Sequence, residues 1–143
     1  MKELATGLMT LLRRLLLDPE ADHFRAIEDH DLTLSQVRAL KLLAGAPEAL
    51  PGGRIAERLG ISPASVSRAL DGLVRQGLAE RADSAADRRV RLLAATPKGL
   101  RLADELTALR RAQIERFAAG LDDEQRELLA VALAALDLDG ACS

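Results

Sequence analysis

A chain of 143 residues, 48% apolar and 29% charged, has the balance of one folded domain with its own core, which argues against an intrinsically disordered chain. Two Phe are its only aromatic side chains, so the core must be built from Leu, Ala, Val and Ile, and the wealth of Leu and Ala predicts a helix-rich fold. The net charge of −2 hides an asymmetry: residues 54–101 hold ten Lys/Arg against five Asp/Glu, while the rest of the chain holds ten against seventeen.

Apolar residues at Leu4, Leu8, Leu11, Leu12, Leu15 and Leu16 recur at helical spacing, and Asp18-Pro19 ends that pattern. A short helical piece is expected around His23 to Asp29. "TLSQVRALKLLAG" repeats the pattern with Val37, Leu40 and Leu43 on one face and Gly45 as a stop. Residues 46–53, "APEALPGG", read as a loop. In "RIAERLGISPASVSRALDGLVRQGL" a short helix carrying Ile55, Ala56 and Leu59 inward ends at Gly60. Ser62 is a good N-cap and Pro63 suits the first helical position, where its missing N–H costs nothing. The second helix buries Val66, Leu70, Leu73 and Val74, and Gly77 ends it. Two short helices across a Gly-containing turn form a helix-turn-helix. Gly72 lies inside the second helix, where it costs roughly 1 kcal/mol relative to Ala, with no reason visible in the sequence.

"LAERA" and "RVRLLAA" then read as strands, the second with Val90, Leu92 and Ala94 alternating with Arg89, Arg91 and Leu93, and "DSAADR" between them reads as a hairpin tip. A hairpin directly after a helix-turn-helix is a winged-helix arrangement. Thr96-Pro97 starts a long helix with Leu100, Ala103, Leu106, Leu109 and Phe117 near one face. Gly120 interrupts it, and Asp122 with Gln125 opens a last helix bearing Leu128, Leu129, Ala132, Leu133 and Leu136. The fold class is thus mainly α with a small β-hairpin wing.

The basic middle between acidic flanks suggests a face for a polyanion. The first turns of the second motif helix expose Ala64, Ser65, Ser67 and Arg68, small or donor side chains that let a backbone approach the floor of a major groove. The DNA-binding set on this helix is Ser62, Pro63, Ala64, Ser65, Ser67 and Arg68; the competing account is that small residues merely face solvent. In the wing, Asp87, Arg88, Arg89 and Arg91 concentrate positive charge, with Arg88 or Arg89 suited to a minor groove and Asp87 able to hold one guanidinium. Arg91 would meet a phosphate, and a solvated salt-bridged loop is the alternative. Leu4, Leu8, Leu11, Leu106, Leu128 and Leu133 are candidates for a homodimer interface, although core packing also explains some of them.

No constellation of a reaction centre appears, so no enzyme and no cofactor are expected. His23 and His30 lack the partners of a metal site and read as helical polar positions. Cys142, the only cysteine, reads as a tail thiol and cannot form an internal disulfide. With no apolar run of about 20 residues and no leader-like start, the expected location is the cytoplasm, away from membranes.

Nearly the whole chain resembles the MarR family of bacterial transcriptional regulators, through "LTLSQVRALKLLA", "RIAERLGISPASVSRALDGLVRQGL" and "DRRVRLLAATPKG" in that order. Ala95 departs from the family's frequent leucine. The resemblance implies a single domain over 1–143, with dimerisation helices in 1–30 and 101–143 and the winged helix-turn-helix in 31–100. It matches Asp87 and Arg89 to the family's wing-tip pair. It also implies a homodimer on a pseudo-palindromic double-stranded operator, acting as a repressor and released by a small-molecule effector, phenolic or otherwise aromatic. The peroxide-sensing cysteine that some members carry near the N-terminus is missing here. A dimeric winged-helix module that binds another protein without reading DNA is the alternative.

Overall fold

The computed structural model describes residues 1–16, 22–84, 87 and 90–136. In chain order the elements are α1 (Lys2–Leu16), α2 (Asp22–Asp29), α3 (Leu34–Gly45), β1 (Leu50–Pro51), α4 (Gly52–Leu59), α5 (Pro63–Arg75), β2 (Ala79–Asp83), β3 (Arg91–Ala95), α6 (Pro97–Ala119) and α7 (Asp123–Ala135). The chain is thus mainly helical, with one small sheet.

Two compact units divide it: Asp22–Leu109, and Met1–Ala21 with Arg110–Ser143. Their boundaries fall at 21/22 and 109/110, so that α2 and the first half of α6 belong with the helix-turn-helix. The reason is packing. Ala26 on α2 is buried in the core of the first unit, and the ring Nδ1 of buried His23 lies 2.9 Å from the Leu106 carbonyl oxygen of α6. A carbonyl only accepts, so Nδ1 carries the hydrogen. His23 is thus a buried, bonded position of α2, whereas His30, just beyond that helix, is exposed.

In the winged-helix unit the largest fully buried side chains are Leu40, Ile55, Leu73, Leu78, Leu106 and Val66. Each is worth about 1.5–3 kcal/mol of transfer free energy. Leu106, expected at a dimer interface, has no exposed surface to offer a second chain; it fills the core between the helices of its own unit. The sheet has the order β1-β3-β2, all antiparallel, with Arg81 opposite Leu93 and Asp83 opposite Arg91. Part of the expected 46–53 loop is β1, a two-residue edge strand in which Pro51 is tolerated, and Gly52 already opens α4. On β3 the buried residue is Leu93, not Leu92, so the inward face has the parity of Arg91, Leu93 and Ala95. "RLLAA" is apolar on both faces, so alternation alone could not choose between them.

Sharp corners are made where the chain turns left-handed: Gly60 ends α4 at φ 62° and Gly77 follows α5 at φ 70°. After β3, Thr96 Oγ1 donates to Gly77 O (2.6 Å), Lys98 Nζ donates to Gln76 O (2.9 Å), and Thr96 N donates to Leu78 O (3.1 Å). The Thr-Pro-Lys-Gly stretch thus clasps the chain just beyond α5. Gly99 completes the clasp, since a Cβ there would come within 2.0 Å of the Leu78 carbonyl oxygen.

The second unit holds α1, α7 and the C-terminal part of α6. Arg110 Nη1 donates to Leu15 O (3.2 Å) and Gln113 Oε1 (3.4 Å), and desolvation lowers the Arg110 guanidinium below its ordinary pKa. Gln113 is buried, and its Nε2 has no partner among the described residues. Asp122 caps α7 by a reciprocal box with Gln125, Gln125 N donating to Asp122 Oδ1 (2.8 Å) and Asp122 N to Gln125 Oε1 (3.1 Å). No residue of α7 is buried, and Leu4, Leu8, Met9 and Leu12 on α1 join Leu128, Val131, Leu133 and Leu136 as half-exposed or more exposed apolar side chains. Leu11 is half-buried. Among the described residues no helix is long and apolar enough to cross a membrane.

Candidate nucleic-acid interface

The helix-turn-helix is α4, the turn at Gly60–Ser62, and α5. Ser62 is the N-cap of α5, its Oγ accepting from Ser65 N (3.2 Å), and Pro63 takes the first turn. Ser62 Oγ donates onward to Ser65 Oγ (2.9 Å), which also accepts from Arg68 Nη2 (3.2 Å). A hydroxyl has one hydrogen to give, so Ser65, accepting twice, keeps its own for an outside acceptor. Ala64, Ser67 and Arg68 are exposed and Ser65 half-buried, while Val66, Ala69, Leu70 and Leu73 hold the opposite face in the core. All six residues singled out on this helix therefore share its first two turns, at the positive end of its dipole. Arg38 of α3 braces the motif by donating from Nη2 to Leu59 O (2.7 Å) at the end of α4.

The wing is the β2–β3 hairpin. Beyond the strands Ser84 N donates to Val90 O (3.1 Å), Val90 N donates to Asp87 O (3.0 Å), and Asp87 N reaches Ser84 Oγ (3.4 Å). Asp87 and Arg91 are exposed. Arg88 and Arg89 lie outside the described residues, as does Cys142, and the expected Asp87–guanidinium pairing lies outside them too. Arg81 Nη2 of β2 pairs with Asp71 Oδ1 of α5 and so ties the wing to the helix.

Two clefts flank α5. One, about 240 Å³, lies between α5 and the sheet, with Val66, Leu70 and Leu93 as apolar wall and Ser67, Arg81 and Arg91 as polar lining. The other, about 420 Å³, lies between α3 and α5 and is lined by Thr33, Ser35, Gln36, Ser65, Arg68, Ala69 and Arg75. Ser35, Gln36, Arg75 and Arg81 were not anticipated. A readable signal existed for one of them: Thr33-x-x-Gln36 is a capping-box pattern, and both its bonds form, Thr33 N donating to Gln36 Oε1 (2.7 Å) and Gln36 N to Thr33 Oγ1 (3.3 Å). Among the described residues no group of three or more His, Cys, Asp or Glu could hold a metal ion.

A family model described as "MarR family" matches residues 30–90, from just before α3 to the end of the wing loop. Among solved structures, YusO of Bacillus subtilis is 27% identical, with 98% of this chain and 97% of that one covered at a TM-score of 0.74. ZitR of Lactococcus lactis is 32% identical over 76% of this chain and 75% of its own, with a TM-score of 0.53. A DNA complex of MepR from S. aureus, 23% identical, covers 90% of this chain and 99% of that one at a TM-score of 0.69, a likeness of fold alone. No curated protein matches the sequence. The helix-turn-helix and the first strand of the wing lie within the matched residues, the second strand and the Thr-Pro-Lys-Gly clasp follow directly after them, and the chain belongs to the MarR family of winged-helix transcription regulators, which are not enzymes.

Proposed function

We propose that this protein is a cytoplasmic homodimeric repressor that binds a pseudo-palindromic double-stranded operator through α5 and the wing, and leaves it when a small aromatic effector binds. The observation that carries the reading is the first two turns of α5: a bonded Ser62–Ser65–Arg68 relay with the small Ala64 and Ser67 exposed beside it, which lets the backbone approach a groove floor. Ten Lys/Arg in residues 54–101 provide the electrostatic attraction. MepR, of the same fold, is solved on DNA. Two copies joined through the exposed leucines of α1 and α7 would present two recognition helices to half-sites about one helical turn apart. The cleft between α5 and the sheet suits an aromatic acid, with Val66, Leu70 and Leu93 against its ring and Arg81 and Arg91 toward its acidic group. Ser67 and Arg91 belong to both that cleft and the DNA face, so effector and operator compete.

Fluorescence anisotropy of a labelled duplex from upstream of the gene, over a salt series, tests this with wild type, Arg68→Ala and Arg89→Ala. Wild type should bind with steep salt dependence, and each variant should lose about 1–3 kcal/mol. A wild type that binds no duplex, or all duplexes alike, would remove the reading and favour the protein-interaction alternative.

A further inference from the structure

The 420 Å³ cleft between α3 and α5 has the lining of an anion site, with two arginines as its only charged side chains among the described residues. Its key member is Gln36. This side chain is only 8% exposed, and its Oε1 is committed to Thr33 N at 2.7 Å, which settles which end of the amide is which. The other end, Nε2, donates to nothing among the described residues, although the side chain lines the cleft. Unlike the fully enclosed Gln113 Nε2, Gln36 Nε2 keeps access to solvent, so its hydrogens are free to meet an acceptor that enters the cleft.

The idle amide is accommodated by design of the opposite helix. Nε2 lies against Gly72, where a Cβ would come within 2.1 Å of it. The mid-helix glycine that local propensity disfavours thus makes the room in which Gln36 sits. Around that amide stand the half-buried Ser35 hydroxyl, Ser65 with a hydrogen to give, and the exposed guanidinium groups of Arg68 and Arg75. Arg75 has no partner among the described residues. Neutral N–H and O–H donors ringed by guanidinium charge fit a tetrahedral oxyanion, whose oxygens accept several hydrogen bonds at once.

We propose that this cleft holds a backbone phosphate of the bound DNA, with Gln36 Nε2, Ser35 and Arg75 as phosphate ligands beyond the recognition helix's own base-reading turns. The assignment rests on the reading of the protein as a DNA binder. DNA is the favoured source over a free phosphate-bearing molecule because Ser65 and Arg68 belong at once to the cleft and to the exposed first turns of α5. An anion in the cleft therefore lies beside whatever that helix reads. Such a contact positions the duplex and carries no sequence information.

Two variants separate the possibilities. Gln36→Glu preserves the acceptor of the capping box, in which Glu serves as well as Gln, yet replaces the idle donor by negative charge. Arg75→Gln changes one exposed residue, so it keeps the test valid even if the first variant folds poorly. Anisotropy is measured on the upstream duplex and on a scrambled duplex of equal length, across a salt series. Both variants should bind both duplexes about tenfold more weakly, with the preference between duplexes retained, and Arg75→Gln should lower the log–log salt slope by about 1. If wild type discriminates and both variants match it in affinity and slope, the phosphate assignment is wrong while the DNA reading stands. If wild type binds neither duplex, the DNA reading fails and the assignment with it. Side-chain amide resonances give the second readout, the Gln36 pair being identified by its loss in Gln36→Glu. A shift on adding duplex supports the assignment, whereas a shift with inorganic phosphate and none with duplex overturns it in favour of a free anion.

Discussion

At the scale of single residues, two glycines show how space, not flexibility, selects a side chain. Gly72 yields its Cβ position to the Gln36 amide, and Gly99 yields its own to the Leu78 carbonyl. The two differ in what must move. At Gly99 the obstacle is backbone held by the Thr96 clasp, so Gly99→Ala should cost at least about 1–3 kcal/mol and lower the urea midpoint accordingly. At Gly72 the obstacle is the end of a side chain pinned by Thr33 N. Helix propensity favours Gly72→Ala by roughly 1 kcal/mol, so the sign of the change reports whether Gln36 is held. Gly72→Ala alone should destabilise, and the same change in a Gln36→Ala background should stabilise. A stabilising single mutant would show that the amide swings freely. Neither reason can be read locally, because Gly72 and Gln36 meet only when α3 packs on α5.

Between elements, the Asp71–Arg81 pair joins the recognition helix to the wing. Both side chains are partly exposed, so the pair adds less than about 1 kcal/mol to stability. Its consequence lies in setting the wing against the helix. Long-range electrostatics alone says that Asp71→Asn, which removes a negative charge from a DNA-facing unit, should tighten operator binding. Positioning says the opposite: weaker binding with an unchanged melting temperature, measured by anisotropy and calorimetry on one sample. Tighter binding would mean that the wing holds its place without this pair. The helices and the hairpin were legible in the chain because capping, Pro-first and glycine-stop signals act within a few residues. The pair was not, since Arg81 stands beside Asp71 only after the turn at Gly77 brings β2 back along α5.

For the whole molecule, the proposed dimer on a two-sided operator is tested at the apolar faces of α1 and α7. The leucines of α1 and α7 expose apolar surface that water penalises unless it is covered. Leu8→Glu and Leu128→Glu should convert a dimer into a monomer by sedimentation analysis while circular dichroism stays helical. Operator affinity should then fall by about 10²-fold or more, because the second half-site is no longer held at high effective concentration. Wild type that sediments as a monomer would remove the bivalent account. Leu106→Ala, by contrast, should act on the fold, costing about 2–5 kcal/mol as a core truncation.

By itself the sequence determined the order of the helices and of the hairpin strands, the tight turn at Gly60, the start of α5 at Ser62 and Pro63, the wing after it, and the Asp122 capping box. Each depends on backbone needs that neighbours in the chain meet. Only the tertiary structure decided which apolar residues are core: Leu106 and Leu93 are buried, Leu8 and Leu128 are not, and His23 turns inward to a carbonyl 83 positions away. It also assembled the cleft of Ser35, Gln36, Ser65, Arg68 and Arg75 from two helices that share no local signal. Periodicity marks a face as apolar or polar, but what that face meets is set by the packing of elements distant in the chain, and the cleft exists only in that packing.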